Sequence, residues 1–284
     1  MEPIDRVRVR AREGETEVER EDVLAVEEPL EIRIRPEGGG PASSFVTTMR
    51  TPGNDEELAA GLLFAEGVLE RRSDLLGLER PADPRIDPEL RANALVAALT
   101  DSAFARAGKL QRGTVMGSAC GVCGKTSIEN VIPADRPPLS CSLRVAPELL
   151  YGLPGLLRDQ QSLFARTGGL HAAGLFSPAG RLLEIREDIG RHNATDKLVG
   201  AFLLRDGLPL SEGILVVSGR AGFEIVQKAF AAGIPIVASV SAPSSLAAAL
   251  AETAGLTLVG FLRDRRFNIY ANPQRIAAES RPAT

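Results

Sequence analysis

The second half of the chain alternates between short apolar runs and amphipathic segments, and this alternation restricts the fold more than any other feature. Gly213–Ser218, Ile234–Val240 and Leu256–Phe261 are predominantly apolar runs of strand length. Apolar residues at helical spacing separate the first run from the second, and a helix over Ser244–Ala254 is predicted between the second and the third. Buried strands joined by helices are typical of β-α-β crossovers, so we predict a parallel sheet.

Right-handed crossovers place the loops that leave these strands at one edge of the sheet, where ligands bind in folds of this kind. The loops are Ser218–Gly222, Ser239–Ser244 and the stretch after Phe261. They are short and rich in small residues, and two of them lead directly into helices, whose free N–H groups can bind anions. Glycine and serine are also ordinary loop and cap residues, so the pattern alone leaves both a phosphate-type ligand and a purely structural role open.

The first half of the chain is predicted to form a smaller α+β unit. Its charged first twenty residues are expected to be a solvated edge or a frayed arm, and Ser73–Arg91, which contains several prolines, is expected to be a loop. The strict alternation of Glu31–Arg35 has the period of a half-exposed strand. Further elements are predicted as strands at Ser43–Met49 and Ala94–Leu99 and a helix at Glu56–Leu69.

Proline, glycine and asparagine mark the element boundaries predicted in the middle of the chain. Pro147 begins a helix that breaks near Pro154 and ends at Gly168-Gly169. The elements predicted after it are a hairpin of His171–Phe176 and Leu182–Ile185, and a helix that runs from its cap at Asn193 to about Arg205. The segment after Arg275 is expected to be a loose tail.

Composition and charge argue against several classes of partner. Aromatic residues make up 4% of the chain and Trp is absent, so recognition of single-stranded nucleic acid by base stacking is not expected. The net charge of -4, with both signs interspersed, predicts no nucleic-acid and no membrane partner. No apolar stretch approaches the ~20 residues of a membrane span, and the N-terminus lacks a signal-peptide pattern. We therefore expect a soluble, cytoplasmic protein.

Two of the three cysteines lie close together in the run Gly117–Thr126, GSACGVCGKT, within the predicted loop Gly113–Gly124. Thr126 and the residues behind it predict that a helix starts nearby. The N-terminus of that helix and the adjacent Lys125 would both favour the thiolate form of Cys120. The flanking glycines allow another molecule to approach the sulfur. These are the properties of a nucleophilic thiolate that accepts sulfur.

The spacing of Cys120 and Cys123 also fits other uses. A structural zinc site needs four ligands, and the sequence adds only Cys141, His171 and His192, without a second closely spaced pair. The zinc-deaminase pattern is absent, because no proline precedes Cys120 and neither histidine has a glutamate two residues later. A thioredoxin-like motif lies early in a small fold at a strand-to-helix junction, whereas this motif lies mid-chain among glycines. Two inert, buried cysteines are a further alternative.

Five motifs occur in order along the chain: GSACGVCGK, RTGGLHAAGLF, REDIGRHNATDKLVG, VVSGRAGFEIVQKA and GFLRDRRFNIY. In this order they resemble the formate dehydrogenase accessory sulfurtransferases, and the resemblance covers roughly Glu27–Tyr270. It implies that sulfur is accepted from a cysteine desulfurase as a persulfide. The sulfur would then pass to the molybdenum cofactor, as bis(molybdopterin guanine dinucleotide), before the cofactor enters formate dehydrogenase.

The resemblance also implies a fold and an assembly. The expected fold is α/β, with a cytidine-deaminase-like three-layer core, a partly parallel sheet and a smaller N-terminal α+β domain. Residues 1–137 would form the N-terminal domain, which ends in the Cys-x-x-Cys loop, and residues 138–284 the deaminase-like domain with the cofactor-binding loops. A homodimer is implied as well, although the sequence shows no self-complementary patch.

By the same resemblance, Cys120 is the cysteine that carries the persulfide, and Cys123 has a secondary role as a resolving or modulating thiol. Cys141 lies outside the motifs and is expected to be a core or near-surface thiol. The stretch that corresponds to the family's cofactor-binding segment is Phe261, Leu262, Arg263, Asp264, Arg265 and Arg266. Its arginines suit pyrophosphate groups, because a guanidinium grips phosphate oxygens in a fork.

Four further residues lie in matching motifs and are candidates for contact with the cofactor: His171, His192, Ser218 and Arg220. Each histidine is suited to donate a proton or a hydrogen bond, but a single histidine in a small-residue motif also often has a structural role. No protein-ligated metal is expected. The main rival function is that of a non-catalytic chaperone, which would bind the guanine-dinucleotide cofactor without moving sulfur.

Overall fold

The computed structural model describes residues 2–83, 85, 87–112 and 137–277. The predicted cysteine loop, with Cys120 and Cys123, lies outside the described residues, as does the tail from residue 278 onward. The strands, in chain order, are β1 (Ile4–Glu13), β2 (Thr16–Ala25), β3 (Glu28–Pro36), β4 (Ser43–Arg50), β5 (Leu75–Glu79), β6 (Ala94–Leu99), β7 (His171–Phe176), β8 (Leu182–Asp188), β9 (Ile214–Val217), β10 (Ile236–Ser239), β11 (Thr257–Arg263) and β12 (Arg266–Ala271).

Eight α-helices accompany these strands in the described part of the chain. They are α1 (Asp55–Ala65), α2 (Pro88–Ala92), α3 (Asp101–Arg112), α4 (Pro147–Asp159), α5 (Ser162–Thr167), α6 (Arg191–Leu204), α7 (Phe223–Ala231) and α8 (Ser245–Thr253). Short 3-10 turns lie at Arg72–Asp74, just before β5, and at Pro273–Arg275, after β12. None of the described helices combines the length and the apolar character that crossing a bilayer requires.

The larger sheet has six strands in the order β12-β11-β10-β9-β7-β8. Strands β9, β10 and β11 run parallel, whereas β7, β8 and β12 pair antiparallel with their neighbours. Alternate residues of β9 face two separate apolar clusters, Leu215 and Val217 on the side of α6 and α7, and Ile214 and Val216 on the side of α4. Because both faces are covered by helices, these strands are apolar throughout. The predicted partly parallel sheet of a mixed α/β fold is confirmed; the closer likeness to cytidine deaminases stays a prediction.

The smaller sheet has four strands in the order β4-β3-β6-β5, and only its β3–β6 pair is parallel. Leu30, Ile32 and Ile34 of β3 are buried while the residues between them reach solvent, which confirms the predicted half-exposed strand. The same apolar cluster continues through α1 and α6 into the six-stranded sheet. The division at residues 137 and 138 stays a prediction.

Strands β1 and β2, Ile4–Ala25, form a regular antiparallel ribbon whose side chains are mostly exposed. Of the two expectations, a solvated edge or a frayed arm, the frayed arm is wrong. Strands β1 and β2 pair along their whole length around a turn at Gly14, whose φ is +64°. Valines alternate with arginines in β1, and Arg6 pairs with Glu21 of β2 at 2.6 Å. Alternation and cross-strand charge pairs therefore outweigh the charge density that suggested disorder.

Three other element predictions are wrong in detail. The predicted loop Ser73–Arg91 contains β5 and the start of α2, because β5 completes the small sheet beside β6. Pro154 does not break its helix, since α4 continues through it and the break comes at Gln160. Helix α6 begins at Arg191 with Gly190 as its cap, so Asn193, the predicted cap, lies inside the helix and is buried.

Helices α1 and α6 join the two sheets at unusually close range. A Cβ atom on Gly200 would lie 1.9 Å from the carbonyl oxygen of Glu57, and one on Gly61 would lie 1.9 Å from that of Asp196. No side chain fits between the two backbones at these positions. This packing therefore requires glycine at position 61 of α1 and at position 200 of α6.

Candidate functional site

One edge of the six-stranded sheet collects the loops that the sequence predicted would meet. The parallel strands β9, β10 and β11 end there, and the antiparallel arrangement of β7 also places the start of β7 and the end of β8 at this edge. The loops after β9 and β10 lie side by side, because Ala221 and Pro243 form a parallel bridge and the Ser244 N–H donates to the Ala221 carbonyl at 3.2 Å. We call this region the sheet edge.

Two serines hold the loops of the sheet edge in place. The buried Ser239 hydroxyl lies 2.9 Å from the carbonyl oxygens of both Gly219 and Ser241. Ser218 accepts a hydrogen bond from the Ala172 N–H at 2.8 Å, and its own N–H donates to the Ala172 carbonyl. Ser218, a candidate for ligand contact, thus has a structural role in attaching its loop to β7.

Both histidines and two arginines meet at the sheet edge. A Cβ atom on Gly219 would lie 3.2 Å from Nδ1 of His171 and 3.5 Å from Cδ of Arg191, so the loop after β9 passes close to the start of β7 and of α6. The neighbouring His192 has its Nδ1 3.5 Å from Oε2 of Glu224 on α7. Arg220 is exposed at the same place and contributes to the positive field on His192.

The environment keeps both imidazoles neutral. Burial, reinforced by the charge of Arg191, lowers the pKa of His171. Burial, together with the charges of Arg191, Lys228 and Arg220, lowers the pKa of His192 to about 3. A neutral imidazole offers one N–H donor and one acceptor, so at neutral pH neither histidine adds positive charge to the sheet edge.

Two features make this edge suited to an anion. Helices α6 and α7 begin here with Gly190 and Gly222 as caps, and within the described part of the chain no side chain caps their first N–H groups. The Nε of Arg191 is buried and has no hydrogen-bond partner among the described residues. Helix N-termini and an arginine with an unsatisfied donor favour a phosphate or carboxylate group.

The predicted cofactor-binding stretch is the hairpin tip between β11 and β12. Its turn residues Asp264 and Arg265 both have left-handed backbone angles, with φ of 52° and 54°. Phe261 also has a positive φ, 54°, which is rare for a bulky residue, and its N–H donates to the Ser241 carbonyl at 3.1 Å. Arg263 is exposed beside it. The hairpin tip is therefore fixed to the loop after β10 and continues the sheet edge outward.

The members of this stretch differ in what they present to solvent. The side chains of Arg263, Asp264, Arg265 and Arg266 are exposed, Phe261 is half-buried, and Leu262 is fully buried in the apolar cluster that faces α4. A ligand at the tip would meet three guanidinium groups and the Asp264 carboxylate, and only the backbone of Leu262.

The motif between β8 and α6 has a second set of residues whose role the sequence did not reveal. Asp188, buried at 0% exposure, accepts hydrogen bonds from the N–H groups of Thr51 and Gly190 and from Asn193, and pairs with Lys197 at 2.7 Å. Lys197 also donates to the Thr51 carbonyl at 2.8 Å. We call this set the Asp188 network. It connects the end of β4 to α6, so this part of the motif is structural.

Cys141 lies apart from the sheet edge, near the N-terminal side of β11. It is half-buried, and the buried Arg275 donates from Nε to its sulfur at 3.2 Å. This agrees with the prediction of a core or near-surface thiol. The predicted roles of Cys120 and Cys123 concern residues outside the described part of the chain.

The neutral His192 predicts a pH-dependent stability. Its folded pKa of about 3 lies below the ordinary value of 6.5, so between these pH values the unfolded chain binds a proton that the native state does not. The contribution of the neutral His192 to the free energy of unfolding is therefore fully present above pH 6.5. It falls by about 1.4 kcal/mol per pH unit below that value. We expect His192→Gln to remove this loss, measured as unfolding free energy in urea at about pH 7.5 and about pH 5.5.

Asp196 acts with the opposite sign, because burial raises its pKa to about 6 and its native carboxyl binds a proton more readily than the unfolded one. This contribution is present in both proteins and cancels when they are compared. Equal losses on acidification in the wild type and in His192→Gln would contradict the prediction.

Comparisons with known proteins agree on one family. The FdhD/NarQ family model matches residues 25–277. A protein of Streptomyces coelicolor named sulfur carrier protein FdhD is 48% identical over 271 residues, which cover 95% of this chain and 94% of that protein. Relatives with the same name from Mycobacterium tuberculosis and Sulfurisphaera tokodaii are 46% and 40% identical over 95% and 96% of this chain, and 97% and 99% of their own length.

A solved structure supports the fold. The chain resembles a candidate formate dehydrogenase accessory protein from Desulfotalea psychrophila with a TM-score of 0.72, over 96% of this chain and 99% of that one. The sequence identity is 23%, so this likeness concerns the architecture.

Proposed function

This chain belongs to the FdhD/NarQ family, and on that premise we propose that it is a sulfur carrier required for the activity of a formate dehydrogenase. The relatives that match nearly its whole length are named sulfur carrier proteins. The observation that carries the proposal is the sheet edge: two helix N-termini, two arginines and an arginine-rich hairpin tip converge there. Such a set of N–H donors and guanidinium groups supports the binding of a ligand with several phosphate groups.

The proposed sulfur chemistry takes place on Cys120. Its thiolate attacks the terminal sulfur of a persulfide on a cysteine desulfurase, a new S–S bond forms on Cys120, and the S–S bond of the donor breaks to release the donor's thiolate. In the second step the terminal sulfur leaves for the cofactor, whose molybdenum supplies the two electrons that reduce it to sulfide. Cys120 is left as a thiolate, ready for another cycle. Cys123 would act as a secondary thiol.

The proposed cargo is the molybdenum cofactor as bis(molybdopterin guanine dinucleotide), whose pyrophosphates need cationic and N–H donors. The residues present fit such a group. The buried Nε of Arg191 lacks a partner in the described structure, and the arginines of the hairpin tip are exposed. We assign the hairpin tip, Phe261 to Arg266, to one phosphate-bearing part of the cargo, and His171, His192 and Arg220 to its continuation along the sheet edge.

The partners that follow are a cysteine desulfurase as donor and formate dehydrogenase as recipient of the sulfurated cofactor, with a homodimer as the proposed assembly. The proposed place of action is the cytoplasm, because a thiol that carries sulfane sulfur has to remain reduced between cycles. These assignments come from the family and from the chemistry of the site.

Mass spectrometry of the full-length protein tests the proposal. After incubation with a cysteine desulfurase and cysteine, we expect the peptide with Cys120 to gain the mass of one sulfur atom, and Cys120→Ala to gain none. Cys141→Ala is the matched control, because Cys141 lies outside the five motifs and its sulfur accepts a hydrogen bond from Arg275. This variant should be loaded as the wild type is. Absence of added sulfur on Cys120 would falsify the carrier role.

The same variant separates the carrier from the rival chaperone. A chaperone that only binds the cofactor predicts full formate dehydrogenase activity with Cys120→Ala. A sulfur carrier predicts that cells with this variant lose at least about 90% of that activity, since removal of a nucleophile that forms the covalent intermediate leaves only a small residual rate.

A further inference from the structure

The hairpin tip is supported by an aromatic pair, one member of which lies outside the hairpin. The guanidinium carbon of Arg265 lies 5.6 Å from the centre of the Tyr151 ring, which belongs to α4. The Tyr151 ring in turn packs against Phe267 of β12, with ring centres 5.5 Å apart and an angle of 43° between the planes. Tyr151 and Phe267 are both half-buried, so the ring beneath Arg265 is held from two elements.

The backbone and the ring together determine where Arg265 points. The left-handed turn at Asp264 and Arg265 fixes the Cα of Arg265, and a guanidinium within about 6 Å of an aromatic face is attracted to it. The Arg265 side chain is exposed and has no hydrogen-bond or ion-pair partner among the described residues. Stacking restrains the guanidinium while leaving all its N–H donors available, which is how a donor is pre-organised for phosphate.

We propose that Tyr151 is a positioning residue of the cargo site, whose ring holds the Arg265 guanidinium ready for a phosphate group of the guanine dinucleotide. The inference rests on the proposed function, because it takes the hairpin tip as the place where that phosphate binds. It adds a residue from α4, outside all five sequence motifs. Tyr151 acts through Arg265 and touches no reacting atom.

Guanosine diphosphate is the probe, and its dissociation constant is measured by calorimetry on the full-length protein. Tyr151→Leu should weaken binding about two- to fivefold, the effect of one cation–π contact at an exposed site. Tyr151→Phe keeps the ring and should bind within about twofold of the wild type. Arg265→Gln removes the guanidinium itself and should weaken binding about tenfold or more.

Phe164→Leu is the matched control, because Arg158 stacks on the Phe164 ring at 3.8 Å and neither residue belongs to the hairpin or the sheet edge. It should leave the affinity unchanged. If Arg265→Gln weakens binding while Tyr151→Leu does not, or if Tyr151→Phe is as weak as Tyr151→Leu, the positioning role is overturned and the cargo site stands. If the wild type does not bind the nucleotide, both the cargo assignment and the inference fail.

Discussion

Gly200→Ala is expected to destabilise the protein by about 3 kcal/mol or more, because its new methyl group would overlap the backbone of another helix. The Cβ would lie 1.9 Å from the Glu57 carbonyl oxygen and 2.8 Å from the Gly61 nitrogen. These are backbone atoms, so no side-chain rotation can relieve the clash, and α1 and α6 would have to separate. Urea unfolding followed by circular dichroism measures the effect.

Gly152→Ala provides the matched control, since Gly152 lies within α4 and its Cβ would meet nothing within 4 Å. Alanine should be neutral there or should stabilise the helix by up to about 1 kcal/mol. Gly61→Ala should behave as Gly200→Ala does, because its Cβ would lie 1.9 Å from the Asp196 carbonyl oxygen. A stability for Gly200→Ala within error of that for Gly152→Ala would contradict the close packing of α1 and α6.

Lys197→Met is the second substitution with a large expected effect, a loss of about 3–5 kcal/mol. Its Nζ lies 2.7 Å from Asp188, whose side chain is 0% exposed. Removal of the ammonium leaves the Asp188 carboxylate buried with neutral donors alone. The unfolding free energy in urea at neutral pH measures this cost.

Arg6→Met is the control for Lys197→Met, because the Arg6–Glu21 pair has side chains that are 66% and 58% exposed. Exposed pairs of this kind contribute about 0–1 kcal/mol. The double variant Asp188→Asn/Lys197→Met should lose less than the sum of its two single variants, because the charge that each single variant leaves unpaired is then absent. Additive losses would show that Asp188 and Lys197 do not act as a pair.

The sequence predicted the large sheet well because its signal is local. Continuous apolar runs indicated β9, β10 and β11, and the handedness of crossovers predicted that their loops would share one edge. The ribbon of β1 and β2 was not predicted, because cross-strand pairing such as Arg6 with Glu21 becomes visible only when the register is known. Strand β5 was missed for a similar reason, since it is short and is defined by its partner β6.

The candidate site was predictable in its loops and in its charged side chains, but not in its supports. The pairing of Asp188 and Lys197 with Thr51 joins parts of the chain that lie far apart in sequence, and so does the contact of Arg265 with Tyr151. Such partners carry no periodic signal. Nothing in the sequence indicates the positive φ of Phe261 either, because a bulky residue rarely adopts such a backbone angle.

The short segment from Asp188 to Lys197 has both a structural role and a proposed role in binding the ligand. Asp188, Asn193 and Lys197 join the two sheets through the Asp188 network, while Arg191 and His192, between them, face the ligand edge. A change in either group of residues also shifts the other, because Asp188 ends β8 and the other four residues lie in about the first two turns of α6. We therefore expect selection to tolerate few substitutions in this segment, and an inactive variant here to be informative about the cargo only if its folding stability is unchanged.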